Sequence, residues 1–264
     1  MSNDELKTLK KQIDYSAVPY IEIYRSIREQ SRLKDYRDGM LAGHFITRDI
    51  GRLCSAWFVK HKVIPNQITL FMIIFGIVGS ILFAFPNVWC KIVGYVCWLM
   101  WFAMDCSDGQ VARYTKTFSK YGTEMDYMAH LIDHPLMNLA IWFTFIQMQV
   151  LNIFLISLIF IINISCELVM RNINTFNYFH LKKQEQKEDY SQIKIKINRN
   201  SFIKYFWQQV NLYPTMIIVG SWLLVIAYFL DFKEIIWFYI GWLILYLLNF
   251  IKAIRLIFKR IYKS

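Results

Sequence analysis

Six long apolar runs, separated by polar and charged stretches, organise most of this chain. They cover Ile68–Phe85, Val88–Met104, Met125–Gln147, Leu151–Glu167, Leu212–Leu230 and Ile235–Phe258. Each is near the length of about 20 residues that a helix needs to cross a bilayer. The pattern predicts six transmembrane helices. Ahead of them the period changes. "YIEIYRSIREQSRLKDYRDG" mixes apolar and charged positions at helical spacing up to Gly39, and "ITRDIGRLCSAWFVKHKVI" follows. In the latter, Ile46, Ile50, Leu53, Trp57 and Phe58 share one side, with Arg48, Arg52 and Lys60 elsewhere. That predicts an amphipathic helix lying in the membrane interface. The expected fold is all-α and polytopic, with a cytosolic segment over 1–64 and a six-helix membrane domain over 65–264. The polar character of the first sixty residues argues against a cleavable signal peptide.

Composition sharpens this. Of 264 residues, 56% are hydrophobic and 17% aromatic, above the usual soluble fraction of about 45–50% apolar. The net charge of +11 needs no nucleic acid to account for it. Twelve Lys and Arg precede Ile68, three lie in Cys106–Gly122, eight in Arg171–Asn211 and five at the C-terminal end. The alternate loops carry only Lys91 and Lys233, so the bias is twenty-eight against two. By the positive-inside rule, both termini and the loop after the second run face the cytoplasm. The same cations would attract anionic lipid headgroups, at roughly 1 kcal/mol each near the surface. The five cysteines are scattered with no CxxC pair, which reads as reduced thiols packed as small hydrophobes.

Ionisable groups gather in one place. "DCSDGQVARYTKTFSKYGTEMDYMAHLID" joins the second run to the third. Asp105, Asp108 and Ala112 fall on one helix face, and Asp126, His130 and Asp133 fall on one face of the next. Two antiparallel neighbours would bring three carboxylates and an imidazole together. Carboxylates that close repel each other and are costly to desolvate, which points to a divalent cation. Oxygen-dominated ligation favours Mg²⁺ or Mn²⁺. Gly109 and Ala112 leave room for a ligand against the helix backbone, and Arg113 offers a fork for phosphate oxygens.

The spacing Asp105-x2-Asp108-Gly109-x2-Ala112-Arg113-x8-Gly122-x3-Asp126 resembles the signature of the CDP-alcohol phosphotransferase family. "PNQIT" (Pro65–Thr69) resembles that family's Pro-Asn-x-x-Thr element. The resemblance implies a six-helix integral enzyme, a homodimer, that moves a substituted phosphate from a CDP-linked donor to an alcohol and releases CMP. It implies that Asp105, Asp108 and Asp126 hold divalent metal, with position 130 as a further ligand. Asn66, Gln67, Ile68, Thr69, Gly109, Ala112, Arg113, Ser119 and Gly122 would surround the CDP portion. One position departs from the pattern. The family's fourth acid would stand at 130, where this chain has His130. An imidazole, with an ordinary pKa of about 6.5, suits a general base. It can also ligate a metal, though not readily do both. Asp133 could orient it or serve as the displaced base, yet it lies roughly 10 Å along the helix from Asp126.

Two further readings complete the sequence picture. Asn163, Glu167 and Arg171 share one face of the fourth run and suggest either an acceptor pocket or a Glu167–Arg171 ion pair. His134, just before Pro135, reads as a packed residue beside a kink, and His44, His61 and His180 as interfacial ones. The leading function is transfer from CDP-diacylglycerol or another CDP-alcohol. The competing class is a catalytically retired membrane protein that keeps nucleotide and metal binding. A transporter is the weaker rival, since translocation does not require this spacing.

Overall fold

The computed structural model describes residues 15–38, 48–185 and 216–261, and within them all regular structure is helical. After a single 3₁₀ turn (Tyr15–Ala17) come α1 (Tyr20–Asp38), α2 (Arg48–Lys60), α3 (Pro65–Ala84), α4 (Val88–Thr115), α5 (Gly122–Met148) and α6 (Ile153–Glu185). A π-helical turn (Met216–Gly220) then leads into α7 (Ser221–Phe229), and α8 (Ile235–Ile261) follows. The turns after α2, α4, α5 and α7 use left-handed residues that are not glycine: Lys62, Lys116, Gln149 and Asp231. A left-handed residue lets the chain leave a helix while its last carbonyls find partners.

Among the described residues, four helices are long and apolar enough to cross a membrane: Pro65–Ala84, Val88–Thr115, Ile153–Ile173 and Ile235–Arg255. The pattern of runs predicts six. The third run does form a helix, α5, of 27 residues, so length is not what sets it apart. It carries Asp126, Asp133, His130, His134 and Asn138, and those polar groups dilute its hydropathy. Pro135 sits inside it without ending it. The fifth run is described only over Met216–Phe229, a shorter apolar stretch, because Leu212–Thr215 lie outside the described residues. So do His44 and the whole connector between α6 and the π turn.

The chain divides into two compact units. The first takes residues up to Gly76 together with Cys97–Ile132, and the second takes Ile77–Val96 and everything from Asp133 onward. In the first, α2 packs along α4. Ser107 Oγ donates to Gly51 O at 2.9 Å, and Ser55 Oγ donates to Gln110 Oε1 at 2.9 Å. Tyr20 Oη donates to Leu53 O at 2.9 Å and fastens α1 to α2. The residues that α2 buries are therefore Arg48, Gly51, Ser55, Ala56, Phe58 and Val59, rather than the apolar set the sequence suggests, and Arg48 is not on the exposed side. Leu53 and Trp57 stay about half exposed.

In the second unit the packing centres on a cation. Lys91, which the sequence places in a loop, lies inside α4 and is fully buried. Its Nζ donates to Phe83 O (2.9 Å), Thr144 Oγ1 (2.9 Å) and Gln147 Oε1 (3.0 Å), and sits 4.4 Å from the centre of the Tyr228 ring. Gln147 Nε2 in turn donates to Ala84 O at 2.6 Å. Phe83 and Ala84 end α3, so both side chains satisfy carbonyls that a helix C-terminus leaves without partners, and a cation there meets the favourable end of the dipole. Gly94 allows α4 to approach this end of α3, because a Cβ on it would lie 2.6 Å from Phe83 N. Lys91→Met should remove one donor from three acceptors at once, at about 1–3 kcal/mol per buried acceptor left unmet. The expected result is a thermal midpoint several degrees lower in detergent. An unchanged midpoint would mean water replaces the ammonium without loss.

Candidate active site

The first unit assembles the candidate site from α4 and α5. Asp105 follows the buried stretch Trp101–Met104 of α4, and Asp126 and His130 stand one turn apart near the start of α5. His130 Nε2 lies 3.2 Å from Asp105 Oδ1 and 3.5 Å from Asp126 Oδ1. One ligand atom from each residue can be chosen so that all three lie within 4.8 Å of one another. This is a cation-sized arrangement of two carboxylate oxygens and one imidazole nitrogen, on partly exposed side chains. Trp101 packs against His130 with ring centres 5.0 Å apart and planes at 74°. It stands four residues before Asp105 on the same helix, so it flanks the cluster from the buried side and limits how the imidazole can turn.

Asp108 is placed differently from the other two aspartates. It falls outside that cluster among the described residues. Its Oδ2 accepts from Thr69 Oγ1 at 3.0 Å, and its Oδ1 accepts from the Gly109 backbone N–H. The Pro65–Thr69 element thus reaches the acidic helix directly, through the last residue of the quoted motif. Asp133, one turn beyond His130 on α5, is fully buried and is likewise not in the cluster.

The residues expected round a nucleotide fall into two groups. Asn66, Ser119 and Gly122 come together: Asn66 Nδ2 donates to Ser119 Oγ at 3.1 Å, and a Cβ on Gly122 would lie 3.5 Å from Ser119 Cβ. Residues fifty-three positions apart in sequence therefore meet at the mouth of α3. Gly109 and Arg113 form the second group. A Cβ on Gly109 would lie 3.0 Å from Arg113 Nη1, so the bare backbone is what lets the guanidinium fold over the helix. Ala112 is half-buried beside them. Two of the predicted positions point elsewhere. Gln67 Oε1 accepts from Ile64 N at 3.3 Å and caps the start of α3, while the Ile68 side chain is fully buried.

The acidic face of α6 also departs from the sequence reading. Glu167 pairs with His134. His134 Nδ1 donates to Glu167 Oε1 at 2.6 Å, and Asn138 Nδ2 donates to Oε2 at 2.9 Å. Arg171 Nη2 lies 2.8 Å from His134 Nδ1 and 3.4 Å from Nε2. One ring nitrogen cannot both donate to a carboxylate and accept from a guanidinium, so the lone pair available to Arg171 is that of Nε2. Asn163 Nδ2 completes the network by donating to Asn138 Oδ1 at 2.9 Å. His134 is packed, as expected, but it is also bonded. Periodicity along α6 offers Glu167 a partner four residues away on its own helix, whereas tertiary packing supplies one from α5.

No curated protein matches the chain. Over residues 62–246, from the turn before α3 into α8, the sequence matches the family described as CDP-alcohol phosphatidyltransferase. That span contains the Asp105–Asp126–His130 cluster, the Asn66–Ser119–Gly122 contact, three helices able to cross a bilayer and the start of the fourth. The chain belongs to the CDP-alcohol phosphatidyltransferase family of membrane transferases.

Proposed function

We propose that this protein moves a substituted phosphate from a CDP-linked donor, CDP-diacylglycerol or another CDP-alcohol, to an alcohol acceptor and releases CMP. The observation that carries this reading is the convergence of Asp105, Asp126 and His130 Nε2 within 4.8 Å, inside the matched segment. Two carboxylates and an imidazole suit a divalent cation such as Mg²⁺ or Mn²⁺. When bound there, such an ion would neutralise charge on a diphosphate and on the departing CMP. His130 turns Nε2 toward both carboxylates, an orientation that favours a ligand role over that of a base. Asp108, braced by Thr69, completes the acidic set once a second ligand site is filled. Arg113 over Gly109 offers donors to phosphate oxygens, and Asn66 with Ser119 offers polar atoms to the nucleoside.

The same reading places six crossings in the membrane, with α5 and the stretch ending in α7 adding to the four apolar helices. The polar groups of α5 then face protein rather than lipid. It also sets both termini and the site on the cytoplasmic side, following the Lys and Arg bias, and puts α2 in the interface through Leu53 and Trp57. The protein acts as a homodimer of such six-helix subunits.

One observation favours a second reading. A protonated His130 would offset one of the two charges of Asp105 and Asp126, so the cluster can persist as an ion pair in a protein that binds without turning over. The test is CMP release by the purified full-length chain in nanodiscs, with Mg²⁺ or Mn²⁺ and a panel of CDP donors. Release with at least one donor is expected. Gly109→Leu should abolish it, because the new side chain would occupy the place of the Arg113 guanidinium. Binding of a CDP donor without CMP release in any combination would move the assignment to the retired class.

A further inference from the structure

A second polar site lies in the second unit. A cavity of about 20 Å³ is bounded by Asn138, Asn163 and Tyr239 among apolar neighbours that include Ile141, Phe160 and Trp242. That exceeds the roughly 10–15 Å³ needed to hold one water-sized group. Asn163 and Tyr239 are only 9% and 7% exposed, and Asn163 Oδ1 and Tyr239 Oη have no hydrogen-bond partner in the protein. Ser221 Oγ, the polar side chain nearest in kind to Tyr239 Oη, is likewise buried without a hydrogen-bond partner, so Ser221 is the residue of the protein to test as an alternative partner. Buried polar atoms left unmet cost free energy, and more so where no bulk water can reach them.

The network behind the cavity fixes what each wall presents. Glu167 can only accept, so Asn138 turns its amide nitrogen toward it and its oxygen away. Asn138 Oδ1 must therefore receive Asn163 Nδ2, and Asn163 is left presenting Oδ1, an acceptor, to the cavity. Tyr239 presents an O–H. A group that donates to Asn163 and accepts from Tyr239 satisfies both. A carbonyl, ether or carboxylate oxygen has no hydrogen for Asn163, and an ammonium leaves the Tyr239 hydrogen without an acceptor. A hydroxyl does both.

We infer that this cavity is a hydroxyl-binding site, in which one O–H group bridges Asn163 Oδ1 and Tyr239 Oη. The group comes from a water, which this volume holds, or from the hydroxyl end of a membrane alcohol. The inference stands on the second unit alone and does not depend on the reaction proposed for the first.

The test compares thermal midpoints of full-length protein in phosphatidylcholine nanodiscs, with and without dioleoylglycerol. Tyr239→Phe should lower the midpoint by about 2–4 °C, the response expected in a chain of this size when one bridged hydrogen bond is lost. Ser221→Ala should leave it unchanged. Dioleoylglycerol that raises the wild-type midpoint but not that of Tyr239→Phe identifies a lipid alcohol as the source, and no lipid dependence identifies water. The inference is overturned if Tyr239→Phe leaves the midpoint unchanged or raises it, because deleting an unpaired buried hydroxyl costs nothing. It is equally overturned if Ser221→Ala lowers the midpoint as much as Tyr239→Phe, since Ser221 would then be the partner.

Discussion

Asp126→Ala is expected to slow CMP release at least about 100-fold while leaving the protein folded. Groups that merely orient metal ligands cost about 10–100-fold in affinity or activity when lost, and Asp126 is placed as a ligand. Its oxygen lies 3.5 Å from His130 Nε2, so without it the cluster retains one carboxylate and one imidazole. Two ligands of that kind hold Mg²⁺ poorly. The side chain is partly exposed at the start of α5, and its removal leaves no cavity in the core. The assay should therefore be paired with a melting curve. A wild-type melting curve with a wild-type rate would remove Asp126 from the site, and with it the cation reading of the cluster.

His130→Asp is expected to shift which cation the protein prefers. Mg²⁺ takes oxygen ligands almost without exception, while Mn²⁺ accepts an imidazole more readily. With His130 Nε2 as a ligand, wild type should bind Mn²⁺ better than Mg²⁺. Replacing the nitrogen by a carboxylate should tighten Mg²⁺ by about 10-fold or more, the scale on which ligand surroundings tune affinity. Displacement of Mn²⁺ by Mg²⁺, followed by Mn²⁺ paramagnetic resonance on purified protein, reads this without any turnover. An identical Mn²⁺-to-Mg²⁺ ratio in both proteins would show that position 130 touches no metal. A variant that turns over where wild type is inert would instead mark the natural chain as a binding protein. The Trp101 ring beside His130 is the feature most able to complicate the exchange, because it is shaped round an imidazole.

Helix class, the near boundaries of α3 and α8 and the start of α4 were legible in the chain, whereas α4 runs on past its apolar run to Thr115. The reason is physical: long apolar runs have no soluble alternative, and a spacing of three and four residues fixes which side chains share a face before any partner is known. That rule placed Asp105, Asp126 and His130 where two neighbouring helices could join them, and they do meet. Periodicity within one helix could not show what each side chain would find on the next. Asp108 shares the helix of Asp105, yet its oxygens go to Thr69 and the Gly109 N–H. Glu167 had Arg171 in register but is held by His134 and Asn138 of α5. Lys91 looked like a solvated loop charge and is instead a buried donor to the end of α3. In each case the decision rests on an unsatisfied group elsewhere, a carbonyl, a carboxylate or an amide, whose partner is brought near only by packing. Sequence determined which polar groups stand among apolar neighbours on each helix, where leaving them unpaired is costly. Tertiary structure decided which of them pair with each other, and so which remain to meet a ligand.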